Sequence, residues 1–253
     1  MTPHERGRRL RIRRIRITGW TALTSLVVTL VGFVTYFHIV FPADRAATLE
    51  VFRDSRVQVE ASEGRVVMEP TGESTGRGIL YFPGARVDPY SYLYPFADLV
   101  AAGNTLVVVD PLMNMALFDP RGFGELTADF SDISKWVVAG HSLGGVKACL
   151  EVDNPAVSDL VLMGSFCAND ISALDIGVIQ IVADRDGLID ESSRRDAEKF
   201  LPADSRRTIT LEGANHASFG TYGPQPGDGT SALSAAEVRG SLTDILNATV
   251  FVD

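Results

Sequence analysis

The stretch from Lys135 to Leu150 constrains this chain more tightly than any other. Trp136-Val-Val-Ala139 is a short apolar run, the pattern of a strand buried on both faces of a parallel sheet. Gly140-His141-Ser142-Leu143-Gly144 follows at once, and Gly145 to Glu151 reads as a helix. A strand that turns this sharply into a helix forces its central residue into a strained backbone conformation. Glycines two residues before and two after let neighbouring backbone pass close by. The turn lifts the Ser142 hydroxyl clear of the sheet. The helix behind it offers unpaired N–H groups and a positive dipole end, suited to a developing oxyanion.

A serine hydroxyl needs a base to take its proton and a group to hold that base. The chain has four histidines. His4 lies in a basic tail, His38 in an apolar segment, and His141 stands beside the serine in the turn itself. His216, in Leu211-Glu-Gly-Ala-Asn-His-Ala-Ser-Phe219, is left as the base. For a strand–turn–helix serine the acid is expected between serine and histidine, after a strand. Ile179-Gln-Ile-Val-Ala-Asp-Arg-Asp-Gly-Leu-Ile189 offers Asp186, the preferred choice, then Asp184, with Asp190 a more distant third. A carboxylate at the end of a parallel strand sits at the sheet edge where ligands gather. It would fix the imidazole tautomer and stabilise the imidazolium. The oxyanion needs two backbone donors. Leu143 is one, and Ala85, in Pro83-Gly84-Ala85 after the Gly78–Phe82 strand, is chosen as the other.

Charge is distributed unevenly. The formal net charge is -9, yet residues 1–17 carry seven arginines and one glutamate, so the rest of the chain holds -15. An acidic body argues against nucleic-acid binding. From Thr18 to Phe41 there is no Asp, Glu, Lys or Arg, a run long enough for a bilayer span of about 20 residues. Trp20 and Tyr36 lie where interfacial side chains are expected. The reading is a cytoplasmic basic tail (1–17), an uncleaved single-pass signal anchor (18–41), a linker (42–55) and an extracytoplasmic catalytic domain (56–253). A cleaved signal peptide is the rival, with an apolar region usually shorter, about 7–15 residues. Cys149 and Cys167 are the only cysteines. They read as two buried thiols, and no bridge is expected. No His/Cys cluster has metal-ligand spacing, and no Gly-x-Gly-x-x-Gly opens a helix as a dinucleotide fingerprint; neither metal nor cofactor is expected.

Along the body, strands and helices alternate. A hairpin is expected from Arg56–Glu60 and Arg65–Glu69, strands at Gly78–Phe82 and Thr105–Val109, and a helix from Asp88 to Ala102. An apolar irregular segment follows from Pro111 to Pro120, then a short helix from Leu126 to Ser134. Further strands are expected at Asp159–Met163, Ile176–Val182 and Arg207–Leu211, with helices at Asp190–Leu201 and Ala235–Thr249. Such alternation means an α/β protein with a largely parallel sheet flanked by helices. The Gly- and Pro-rich run Phe219–Gly229 reads equally as a rim over the site or as a surface loop.

Four motifs carry a family resemblance: strand-Phe-Pro-Gly-Ala, Gly-His-Ser-Leu-Gly-Gly, Val-Ala-Asp-Arg-Asp-Gly and Gly-Ala-Asn-His. In order and spacing they resemble the signature places of the alpha/beta hydrolase superfamily over about residues 56–253, nearest its compact, uncapped serine-esterase and dienelactone-hydrolase-like branch. The resemblance implies the hydrolase fold, a Ser142–Asp186–His216 triad and acyl-enzyme chemistry. The expected substrate is a small-molecule or lipid-like carboxylic ester. Two departures stand out. Phe82-Pro83 occupies the place where lipases often show His-Gly, and a serine stands where dienelactone hydrolases use cysteine. Only Gly164 to Asp175 separates the strands between which capped members insert a lid, so no large cap domain is expected. The alternatives are a peptidase or acyltransferase on the same triad, or a tethered domain that kept the fold for binding.

Overall fold

The computed structural model describes residues 3–251 apart from Glu63. The chain divides into two units, residues 1–39 and 40–253. The first is a single helix, α1 (Pro3–His38), whose Arg6–His38 portion is long and apolar enough to cross a membrane.

The second unit opens with α2 (Arg45–Arg53), in the stretch expected as a linker. Its start has a physical signal: the Asp44 carboxylate accepts the Ala47 N–H at 2.8 Å and caps the helix. Val51, on its inner face, is buried in the core. Strands β1 (Val57–Ser62) and β2 (Arg65–Pro70) form the expected hairpin. Then come β3 (Arg77–Phe82), a helical segment made of a 3-10 turn at Pro89–Tyr92 and α3 (Leu93–Ala101), and β4 (Thr105–Val109). The next helix, α4, covers Phe123–Leu126, earlier than the expected Leu126–Ser134. The strands and α-helices that follow, up to the closing helix, are β5 (Lys135–His141), α5 (Leu143–Ala148), β6 (Val157–Met163), β7 (Gly177–Ala183), α6 (Glu191–Ala197) and β8 (Arg206–Leu211). That helix, α7 (Ala235–Thr249), is bounded as expected and carries a Ser234/Glu237 capping box.

The eight strands form one sheet in the order β1-β2-β4-β3-β5-β6-β7-β8. β1, β2 and β4 pair antiparallel, and every pairing from β4 through β8 is parallel. Alternate residues of the central strands feed two cores. Ile79, Tyr81, Val137, Ala139, Val161 and Met163 pack on one face with Phe96 of α3 and Leu242 of α7. Leu80, Phe82, Val138, Leu160 and Leu162 pack on the other with Leu126 of α4 and Ala148 of α5. This explains the continuous apolar runs in sequence: both faces of each central strand are covered. It also leaves the C-terminal strand edges, joined by loops, as the place where polar side chains can meet a ligand.

β6 connects to β7 through residues 164–176, which hold no helix. No cap domain stands at that position.

Candidate active site

Ser142 occupies the turn between β5 and α5 with φ 53° and ψ -127°. A non-glycine residue held in such a conformation costs about 1–3 kcal/mol, supplied by the surrounding structure. The surroundings are tight. A Cβ on Gly140 would lie 2.4 Å from the Gly144 carbonyl oxygen, and one on Gly144 would lie 2.1 Å from that of Phe82. Both clashes are with backbone, so glycine is required at both places. The Ser142 N–H donates to the Met163 carbonyl at 3.1 Å, while its own carbonyl accepts from Ser165 Oγ at 2.6 Å and the Gly145 N–H at 3.0 Å. The turn is thus pinned to the end of β6 and the loop after it.

That loop holds a feature the sequence reading missed. Cys149, which ends α5, and Cys167 are both buried, as expected, but they form a disulfide with Cα atoms 5.6 Å apart. The expectation of two free thiols is corrected. β5 and β6 are adjacent parallel strands, so the helix after one and the loop after the other emerge side by side. A separation of 18 residues in sequence gives no hint of this.

His216 lies just after β8, and its Nδ1 is 2.8 Å from Asp186 Oδ2. The other carboxylate oxygen, Oδ1, accepts the N–H groups of Leu188 at 2.8 Å and Ile189 at 2.9 Å. Burial works upward on the Asp186 pKa. The hydrogen bond and charge of His216, with the two backbone donors, outweigh it and hold the group below the ordinary carboxylate value. Asp184 is elsewhere: it is exposed and accepts the Gly213 N–H at 2.6 Å. Asp190 caps α6 through the Ser193 N–H. Of the three acids, only Asp186 reaches the histidine.

Ser142 follows β5 as this pair follows β7 and β8, at the same C-terminal edge of the sheet. The rings of His141 and His216 are 4.4 Å apart between centroids. Gly164, which follows Met163, is so placed that a Cβ would sit 3.1 Å from His216 Nδ1 and 3.2 Å from Asp186 Oδ2. Among the described residues no hydrogen bond joins the Ser142 hydroxyl to His216. Such contacts are often loose until substrate is bound.

The expected oxyanion donors lie at the same edge. Leu143 is the first residue of α5, so its N–H has no carbonyl within the helix. The Gly84 N–H is already taken by Tyr92 Oη at 2.9 Å. The next N–H along, that of Ala85, has no acceptor among the described residues. Tyr92 Oη also lies 2.9 Å from His141 Nδ1. Tyr92 Oη is thus hydrogen-bonded to the Gly84 N–H and to the His141 ring at once. Burial, then the proximity of His216, drives the His141 pKa well below its usual value, so the ring is neutral. His141 therefore links the turn to the Ala85 loop through Tyr92 and packs against the second histidine.

A second residue absent from the sequence reading is Asp228, in the Gly- and Pro-rich run after the histidine. Its Oδ1 accepts the N–H groups of His216 at 3.1 Å and Gly187 at 3.1 Å, and its Oδ2 that of Ala217 at 2.8 Å. One carboxylate thus braces the loops carrying both His216 and Asp186. Gly-Asp-Gly in a loop looks like any turn, and nothing in it marked this role. Among the described residues no group of three or more His, Cys, Asp or Glu is placed to hold a metal ion.

This arrangement can be set beside known proteins. The model of the alpha/beta hydrolase family matches residues 78–239. The chain belongs to that family. No curated protein matches the sequence. Solved structures match in fold. A predicted CIB-like hydrolase from Thermoplasma acidophilum is 14% identical with a TM-score of 0.53, covering 76% of this chain and 98% of its own. Esterase 2 of Thermogutta terrifontis, phosphorylated by paraoxon, is 11% identical with a TM-score of 0.52, covering 78% and 96%. A mutant form of esterase rPPE is 16% identical with a TM-score of 0.50, covering 82% and 88%. At these identities the likeness is one of fold, and this alpha/beta hydrolase takes its functional argument from its own residues.

Proposed function

We propose that this alpha/beta hydrolase is a membrane-anchored serine esterase that works through an acyl-Ser142 intermediate. The observation that carries the reading is the 2.8 Å contact between His216 Nδ1 and Asp186 Oδ2, at the sheet edge where Ser142 is held in its strained turn. With Nδ1–H donated to the carboxylate, Nε2 is left basic. It takes the Ser142 proton as Oγ attacks the ester carbonyl carbon. The N–H groups of Leu143 and Ala85 receive the oxyanion. The tetrahedral species collapses, the C–O bond to the alcohol breaks, and the imidazolium gives its proton to the leaving oxygen. Water then repeats the sequence, with His216 as base, to release the acid and free serine. The short β6–β7 connection, with no inserted cap, favours a sizeable or membrane-presented ester over a small sequestered substrate.

The tether is α1, with its arginines on the cytoplasmic side and the body outside. The Cys149–Cys167 disulfide favours that side, because such bridges persist in oxidising compartments. The decisive experiment is labelling of membranes with a fluorophosphonate probe, followed by a panel of p-nitrophenyl esters and aminoacyl amides. Labelling of the wild type, its loss in Ser142→Ala, and turnover of esters but not amides is the expected result. A chain that takes up no probe and cleaves nothing is a tethered binding domain.

A further inference from the structure

Among the described residues, the body exposes few large apolar side chains, and four lie on segments that pack in succession from the residue after Ser142: Leu143 (37%) on α5, Leu117 (37%) and Phe118 (47%) on the turn against it, and Leu112 (59%) on the turn before that. Leu143 follows the serine directly. The others come from the segment after β4, whose turn at Ala116–Phe118 packs against α5. Single exposed apolar residues are ordinary, but several on successive packed segments next to the Ser142 turn mark a surface for an apolar partner. The segment is fixed in place. The Asn114 carbonyl accepts the Arg86 N–H at 2.7 Å, which ties it to the loop carrying Ala85.

An independent observation bears on what meets this surface. The chain enters the body at that same loop. The Phe41 N–H donates to the Arg86 carbonyl at 2.6 Å, the Asp88 N–H donates to the Phe41 carbonyl at 3.0 Å, and Phe41 bridges Val87 in parallel. Arg86 is next to Ala85. Only Ile39 and Val40 separate Phe41 from His38, the last residue of α1. Three extended steps of chain reach about 10 Å at most. A bilayer holding the apolar run of α1 therefore comes within about that reach of the loop bearing the oxyanion donor.

We propose that the membrane holding α1 presents the substrate: Leu112, Leu117, Phe118 and Leu143 dip into its outer leaflet, and the ester that reaches Ser142 carries a long acyl chain dissolved there. This rests on the acyl-serine reading above and names its substrate class. The charge of the body gives no help, since -15 offers anionic headgroups no attraction. Apolar contact and the short tether carry the docking, so it is insensitive to salt.

The test uses the full chain reconstituted in phosphatidylcholine vesicles. The readout is the ratio of two rates: cleavage of a fluorogenic oleoyl ester dissolved in the bilayer, and cleavage of p-nitrophenyl acetate in the water. The double variant Leu112→Gln/Phe118→Gln is expected to lower that ratio at least tenfold. A flexible spacer of about 30 Gly and Ser residues between Ile39 and Val40, reaching far beyond the native tether, is expected to lower it at least threefold. A ratio within twofold of wild type in the double variant overturns the proposal. Should that variant fail to fold, the spacer, which leaves the body's sequence intact, decides alone, and an unchanged ratio there overturns it equally. Wild-type chain that cleaves the soluble ester but not the bilayer ester ends the docking proposal and leaves the acyl-serine reading standing. Chain inert to both esters and to the fluorophosphonate ends both. Cross-linked dimers abolished by the double variant would seat a second copy on the surface instead, and that also overturns it.

Discussion

Replacing Asp186 by asparagine tests the chemistry through a detail of its hydrogen bonds. Asp186 Oδ1 is held by two backbone N–H groups, from Leu188 and Ile189, and Oδ2 faces His216 Nδ1 at 2.8 Å. An asparagine at this position has one carbonyl oxygen and one NH₂. The two backbone donors demand the oxygen, so the NH₂ turns toward the imidazole. His216 Nδ1 must then accept, its proton moves to Nε2, and the nitrogen proposed to serve Ser142 can no longer take a proton. The shape of the site is kept and the tautomer is reversed. In a serine protease the same change of tautomer lowers kcat by about 10⁴, equivalent to about 5.4 kcal/mol at about 1.36 kcal/mol per decade. The expected outcome is a loss of that order in turnover of a p-nitrophenyl ester, with the denaturant midpoint little changed. Asp184→Asn is the control. Its oxygen can still accept the Gly213 N–H, and turnover should stay within about twofold, the scale of a few tenths of a kcal/mol expected of exposed sites. An Asp186→Asn chain that keeps more than a tenth of its turnover, or a ranking with Asp184→Asn the worse, refutes the assignment.

Three further outcomes follow from the same contacts. Tyr92→Phe removes the hydroxyl that accepts from Gly84 and hydrogen-bonds His141 Nδ1; two buried polar groups lose their partner, at about 1–3 kcal/mol each. The denaturant midpoint should drop, and kcat should fall by less than the ~100-fold that loss of an oxyanion donor costs. Cys149→Ser opens a loop of 18 residues and should cost about 3 kcal/mol by loop-closure entropy, read as a lower thermal midpoint that a reducing agent reproduces in the wild type. The folded His141 ring refuses a proton that the unfolded chain accepts below pH about 6.5. Stability should therefore fall as the pH drops from 7 to 5, by at most about 1.4 kcal/mol per pH unit. Asp186 acts with the same sign in a lower window: its depressed pKa adds a loss of stability only in more acidic solution, below the ordinary carboxylate value. His141→Phe in detergent should flatten the slope between pH 7 and 5, and an unchanged slope would remove His141 as its source.

The sequence made legible what periodicity and steric necessity encode. Apolar runs named the central strands because each is covered on both faces. The two glycines around Ser142 announced a turn in which any side chain would strike backbone. His216 was named by elimination and Asp186 by its place at the end of a strand, and the fold sets the two in contact. What escaped depended on distance across the fold. The Cys149–Cys167 bridge joins two neighbouring strand ends. Asp228 braces two loops at once, and Tyr92 meets His141 and Gly84 from a helical turn well separated in sequence from the serine. Local pattern cannot register any of these. Residues 42–55 failed for a different reason. A nine-residue helix with Val51 as its one buried side chain leaves too faint an apolar pattern to distinguish from a linker.

The missed residues share a function in the architecture. The groups proposed to react come from separate loops: Ser142 from the β5 turn, Ala85 from the loop after β3, Asp186 after β7 and His216 after β8. A parallel sheet fixes where these loops begin and leaves their tips free. Each tip is then tied to another. Tyr92 ties the Ala85 loop to the serine turn through His141. Ser165 and the disulfide tie the serine turn and α5 to the loop after β6. Asp228 and Asp184 tie the acid loop to the histidine loop. A site that has to hold its geometry to about half an ångström needs such cross-ties. They lie one bond behind the chemistry, where a single-sequence reading has the least to work with.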